Sequence, residues 1–238
     1  CFIPEGTFLG GDDGKQELEI LAPFYMAKHP LPVALFQAFL SDSGHEYPEE
    51  DLEASLAVSQ LPDCPAVNIS WLDAKEICRW LRKKTGHYYS LPQNDEWEKA
   101  ARGEDGRSFP WGNQAPSEKQ AYFDHEKIGK TSQCGIRPDG ASPYGCHDMG
   151  GNVWEWCADL YNNDYYTQLS KTKLAINPKG PTKSYDPDEP LITKRVMRGG
   201  SFLCNDSYCS GYRVSARMKS SPDSGMEHLG FRCVMDKE

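Results

Sequence analysis

In "NISWLDAKEICRWLRKKTG" the apolar residues Trp71, Ala74, Cys78 and Leu81 recur three and four positions apart, with Ile77 beside them. That spacing puts them on one face of a helix. Ser70 can cap its start and Asp73 suits its first turn, while Lys83 and Lys84 favour its C-terminal end before Gly86. A weaker stripe, Val33, Phe36, Phe39 and Leu40 in "LPVALFQAFLSDSG", predicts a helix over 32–42 that ends at Gly44. A third, shorter helix is expected in "LPQNDEWEKAARG" (91–103), with Asn94 or Asp95 near its start, Trp97 and Ala101 inward, and Gly103 after it.

Elsewhere the pattern is extended or broken. "IPEGTFLGG" (3–11) predicts a strand entered from a turn. "RVMRGGSFL", "GYRVSAR" and "LGFRCVM" predict a small antiparallel sheet near the end of the chain. Between Glu104 and Asp148, and again from Tyr161 to Leu191, turn residues dominate, so tertiary contacts must hold these stretches. No internal repeat of about 20 to 50 residues is present. Six tryptophans, at 71, 80, 97, 111, 154 and 156, are expected to organise one core, and hence one domain.

Charge narrows the function classes. The 26 basic and 35 acidic residues leave a net charge of −9, which argues against a nucleic-acid-binding surface. The short basic run "RKK" (82–84) reads as a solvated helix end. No apolar run approaches the roughly 18 to 20 residues that cross a bilayer, and no signal-peptide pattern is visible. The expectation is a soluble, cytoplasmic, monomeric chain with no nucleic-acid or membrane partner. Because it starts at Cys1 and not Met, a targeting segment or partner domain can lie outside this sequence.

The candidate chemistry lies in sulfur. There are nine cysteines, an odd number, so at least one thiol stays free or pairs outside the chain. Cys204 and Cys209 stand five apart in "GGSFLCNDSYCSGYR", too wide for a Cys-x2-Cys zinc knuckle. The turn formers "NDSY" between them can bring the sulfurs together, which suits a soft ion such as Cu(I). An ordinary disulfide or two inert thiols fits the same spacing. Gly199 and Gly200 allow either a close ligand approach or a bulge. The six histidines show no i, i+4 pair, no phosphate loop is present, and Ser142 lacks a nucleophile-elbow context. "DMGGNVWEW" (148–156) offers Asp148 and Glu155 as hard donors for calcium, or a plain turn followed by a tryptophan-anchored strand.

Taken together, "IPEGTFLGG", "CPAVNISWLDAKEICRWL", "LPQNDEWEKAARG", "FPWGN", "YGCHDMGGNVWEW", "RVMRGGSFLCNDSYC" and "PDSGMEHLGFRC" resemble the formylglycine-generating enzyme (sulfatase-modifying factor) family over nearly the whole chain. "GGNVWEW" and "LGFR" belong to the wider superfamily, and the two cysteines of "GGSFLCNDSYC" mark its oxidase branch. The resemblance implies an α+β fold: a single domain of low regular content, related to C-type-lectin-like folds. It implies that Cys204 and Cys209 bind Cu(I) and that a sulfatase-type peptide with a Cys-x-Pro-x-Arg core adds its own thiol. With O2 as co-substrate, that cysteine becomes formylglycine.

By the same matching, Ser201 helps hold oxygen or thiol near copper, Trp154 and Trp156 wall the site, and Arg213 stands near the reacting centre. Arg213 alternatively closes the sheet through a salt bridge. Asp148, Gly151, Val153 and Glu155 match a family calcium loop, while a second calcium loop is shortened here and expected to be absent. Asn205 replaces the histidine that commonly follows the first cysteine, and His228 replaces an asparagine before "LGFR". Secreted relatives carry two disulfides: one corresponds to Cys78 and Cys233, which should be neighbours, the other to Ala101 and Val214, which lack sulfur. Cys64, Cys134, Cys146 and Cys157 are expected to be packing residues. A different class of function also fits, a non-enzymatic binding or regulatory domain of a larger protein such as a bacterial kinase. An ergothioneine-type iron oxidase fits less well, for want of its N-terminal helical domain.

Overall fold

The computed structural model describes residues 1–11, 15–125, 127–205, 207 and 209–236. The chain opens with strands β1 (Phe2–Ile3), β2 (Gly6–Gly10), β3 (Gln16–Ile20) and β4 (Phe24–Met26), followed by helices α1 (Val33–Ser43), α2 (Glu49–Val58) and α3 (Trp71–Thr85). Then come β5 (Tyr89–Ser90), α4 (Asn94–Arg102), β6 (Trp154–Leu160), α5 (Tyr165–Leu169) and β7 (Leu174–Ile176). Strands β8 (Arg195–Arg198), β9 (Met218–Ser220), β10 (Leu229–Gly230) and β11 (Val234–Asp236) complete it. The architecture is a single α+β domain with little regular structure.

Helix α3 forms where its caps stand. Ser70 Oγ accepts from the Asp73 backbone N–H at 3.1 Å, and Asp73 answers by accepting the Ser70 backbone N–H at 3.0 Å. This reciprocal box satisfies two otherwise orphaned donors. Gly86 then ends the helix at φ 83°, a conformation that a side chain would resist. Helix α2 was not foreseen: it is mostly exposed and has little apolar stripe. It starts after Pro48 with Glu49, Glu50 and Asp51 in its first turn, a placement that the helix dipole favours.

The opening strand divides in two. β1 pairs with β4, while β2 pairs antiparallel with β3, whose alternating "QELEI" buries Leu18 and Ile20. "LGFRCVM" also divides, because Leu229 and Gly230 join the sheet β10-β6-β8-β9 and Val234–Asp236 join β1-β4-β11-β5. The expected all-antiparallel terminal sheet is in fact mixed, with β10 parallel to β6. "GYRVSAR" turns instead of extending: Arg213 N–H donates to Ser210 O and Ala216 N–H to Arg213 O. Among the described residues, no helix is long and apolar enough to cross a membrane.

The core comprises two large apolar clusters and a smaller one, with charges buried among them. Trp97 and Trp156 are fully buried. Glu155 receives Arg232 through both carboxylate oxygens, at 2.7 Å each, and the Trp97 indole N–H at 2.8 Å. Glu98 similarly takes Arg102 and Arg198, each at 2.8 Å, plus the Tyr166 hydroxyl at 2.8 Å. These pairs tie α4, β6, β8, α5 and the segment after β10 into one scaffold under the site.

Candidate functional site

The cysteine loop springs from the end of β8. Gly199 and Gly200 take φ of 97° and 72°, and a Cβ on Gly200 would stand 2.5 Å from the Tyr212 backbone nitrogen. Only glycine fits so close a backbone crossing without displacement. Phe202 N–H then donates to Asn152 O, and Cys204 N–H to Ser201 O at 3.0 Å, which folds the chain inward. A further turn follows, closed by Cys209 N–H on Asn205 O at 2.9 Å. Asn205 Oδ1 accepts from both the backbone N–H and the hydroxyl of Ser207, at 3.1 and 2.7 Å. Asp206 and Tyr208, the other members of "NDSY", lie outside the described residues.

This folding brings the sulfurs of Cys204 and Cys209 to 2.7 Å, with both cysteines present as free thiols. Cys204 is buried and Cys209 half-buried. The hydrogen bond from Cys204 lowers the Cys209 thiol to about 7. The same bond, together with burial, raises Cys204 well above the ordinary thiol range. One proton therefore leaves the pair near neutral pH and the other is retained.

Both cysteines open on a cavity of about 570 Å³, lined also by Trp154, Ser201, Leu203, Arg217, Met218 and His228. Ser201 lies fully buried, with its backbone N–H 3.4 Å from Cys204 Sγ. His228 Nδ1 lies 3.2 Å from Ser201 Oγ, and burial lowers its pKa, so the ring is neutral at pH 7. The His228 carbonyl accepts the Trp154 N–H at 2.8 Å, pinning the histidine beside that wall. Arg217 lies over the Tyr166 ring at 4.0 Å.

Two expected site residues stand elsewhere. Arg213 is exposed, its guanidinium 5.2 Å from the Phe109 ring centroid, and it does not line the cysteine cavity. The turn through 210–216 carries it outward. Among the described residues, Arg213 shows this cation–π contact and not the salt bridge offered as its alternative role. Trp156 is one pleat deeper than Trp154 and fully buried, donating its indole N–H to Ile69 O at 2.9 Å, so it supports the wall without forming it.

The two carboxylates of the calcium donor set are otherwise employed. Glu155 has both oxygens on Arg232, and Asp148 Oδ2 accepts the Gly135 N–H at 2.7 Å. The Gly151 N–H donates to Gly199 O at 2.7 Å, and Val153 is fully buried in the small cluster with Phe202. A cation at this loop would have to share Glu155 with a buried guanidinium, so Glu155 as placed does not fit as a calcium ligand. Among the described residues, no group of three or more His, Cys, Asp or Glu side chains stands together to hold a metal ion. The thiol pair itself supplies two soft donors, which fit a low-coordinate soft ion.

The remaining sulfurs are placed as structure. Cys78 and Cys233 are buried neighbours with sulfurs 3.7 Å apart, both free thiols. Ala101 and Val214 are buried in one shared cluster. Cys64, Cys146 and Cys157 are buried, and Cys134 is half-buried. Arg217 and Met218 were missed as lining residues because no local signal brings them to the cysteines. His228 did carry one, its departure from the family pattern.

The chain is thus a short-stranded α+β domain that turns a thiol pair into an open cavity. Residues 1–237 match the family model described as Sulfatase-modifying factor enzyme 1-like domain. The chain belongs to this formylglycine-generating enzyme family. It is 38% identical over 191 residues to the formylglycine-generating enzyme of Thermomonospora curvata, covering 76% of this chain and 58% of that one. With the Streptomyces coelicolor formylglycine-generating enzyme the identity is 31% over 296 aligned positions, covering 99% and 88%. The inactive C-alpha-formylglycine-generating enzyme 2 of Bos taurus is 33% identical over 181 residues, covering 71% and 50%. In fold, PvdO from Pseudomonas aeruginosa superposes with a TM-score of 0.75 at 23% identity, covering 99% and 93%.

Proposed function

We propose that the chain is a copper-dependent oxidase that converts the cysteine of a sulfatase-type Cys-x-Pro-x-Arg segment to formylglycine, with O2 as oxidant. The observation that carries this reading is the contact between two free thiols, one ionising near pH 7, at the edge of a cavity large enough for a peptide side chain.

Cys204 and Cys209 would hold Cu(I), which supplies activation of dioxygen and transfer of electrons to it. Cys209 provides the ready thiolate, and its half-buried position lets it part from Cys204 to admit an ion. Trp154 and Leu203 keep water from one side of the cavity. Ser201, steadied by His228, offers a hydroxyl beside Cys204. In the overall change the substrate cysteine gives up one proton from its β-carbon, its thiol proton and two electrons to O2, which is thereby reduced to hydrogen peroxide. The resulting thioaldehyde adds water and releases hydrogen sulfide, leaving the aldehyde.

A second reading, a binding or regulatory domain without this activity, draws on Asn205 and on a 28% identity to the serine/threonine-protein kinase Pkn1 of Chlamydia trachomatis that covers 99% of this chain and 38% of the kinase. Incubation with Cu(I), O2 and a Cys-x-Pro-x-Arg peptide separates the two. Aldehyde formation that is lost in Cys204→Ala supports the oxidase. Peptide binding without aldehyde supports the second.

A further inference from the structure

A second cavity, of about 520 Å³, shares no lining residue with the cysteine cavity. One wall is a stripe on α3, Lys75, Arg79 and Arg82, at i, i+4 and i+7. The helical rise spreads their Cα atoms over about 10 Å. Lys179 joins them from the loop after β7, and Trp71 and Tyr88 provide aromatic faces. Four cations around one cavity stand out on a chain with 35 acids and 26 bases.

Two of these cations are held by rings, where several cations elsewhere are held by acids. Lys84 pairs with Asp42, Arg107 with Asp105, and Lys219 with Asp186. Lys75, by contrast, sits 5.0 Å from the Trp71 ring centroid and Arg82 sits 4.9 Å from that of Tyr88. A ring holds a cation in place without cancelling its charge. Arg79 is the exception, paired with Glu76. Arg195 also stacks on the Trp71 ring, at 3.9 Å, and donates to Ala158 O, adding positive potential at that wall. The cavity has two acids. Glu96 is committed to the Gln93 backbone N–H at 2.8 Å, and burial raises its pKa, while Asp236 lies at the end of β11.

We infer that this cavity binds a small polyanion carrying at least two oxyanion groups, held between the α3 stripe and Lys179. Two separated groups match cations whose Cα atoms are spread over about two turns of helix. The site is independent of the chemistry proposed at Cys204 and Cys209.

Tripolyphosphate and citrate, titrated calorimetrically into the whole 238-residue chain, probe the two oxyanion types. At least one should bind saturably at a single site, and which one does identifies the group. Lys75→Gln with Arg82→Gln should weaken that binding by about tenfold or more, the loss of two charge-assisted contacts. Lys130→Gln with Lys171→Gln removes the same charge outside the cavity and should change it less than about twofold, as exposed charges do. All four side chains are exposed, so both variants should keep the parent's thermal midpoint. No saturable binding of either probe, or equal weakening by the two double variants, overturns the inference.

Discussion

The ion pairs beneath the site and the thiol loop above it solve opposite problems. Glu155 and Arg232 are both fully buried and meet through two hydrogen bonds, with Trp97 adding a third to the same carboxylate. Cys204 and Cys209 meet at a half-buried edge, and among the described residues neither thiol forms an ion pair. Matched charge makes the floor costly to alter. Incomplete matching leaves Cys209 able to ionise near neutral pH. The domain thus keeps rigidity and reactivity in adjacent layers.

The largest effect should come from breaking the floor. Arg232→Met leaves Glu155 buried with its counter-ion gone, and should cost about 3–5 kcal/mol in urea unfolding. A loss under about 1 kcal/mol would mean that the pair contributes little. Next, Gly200→Ala forces a Cβ against the Tyr212 backbone at positive φ, with an expected cost of about 1–3 kcal/mol. It should also slow aldehyde formation more than it destabilises the chain, since the loop that presents Cys204 starts there.

Thiol titration sharpens the contrast from the other side. In the metal-free protein, Cys209 alkylation should rise through a midpoint near pH 7, because hydrogen bonding from Cys204 lowers its pKa to about 7. Cys204→Ala removes that donor, so the midpoint should move upward, toward the ordinary thiol value of about 8.5. An unmoved midpoint would assign the ionisation to another cause. The smallest effect belongs to Arg213→Ala. It removes an exposed cation–π contact worth about 0.5–1 kcal/mol and should leave aldehyde formation within about twofold of the parent.

Much of this organisation was legible locally, and the reasons are specific. Helix α3 announces itself through Ser70, Asp73 and Gly86, each of which acts within one turn of its own position. Helix α2 does not, since its acids favour a helix start while few apolar residues mark an inward face. "GYRVSAR" has strand-like residues, yet Val214 N–H is captured by Ser108 O, a contact that no local pattern encodes. The cysteine pair was visible as a spacing, and family resemblance supplied its meaning. Its cavity was only partly visible, because Arg217, Met218 and His228 arrive through long-range folding. The same limitation hid the employment of Glu155, whose partner Arg232 is 77 residues away.

The most direct measurement is mass spectrometry of a Cys-x-Pro-x-Arg peptide after incubation with the chain, Cu(I) and O2, with the Streptomyces coelicolor enzyme run in parallel. Peptide aldehyde should form only with copper and disappear in both Cys204→Ala and Cys209→Ala. Intact peptide from the parent chain, under conditions where the Streptomyces enzyme yields aldehyde, would contradict the oxidase reading.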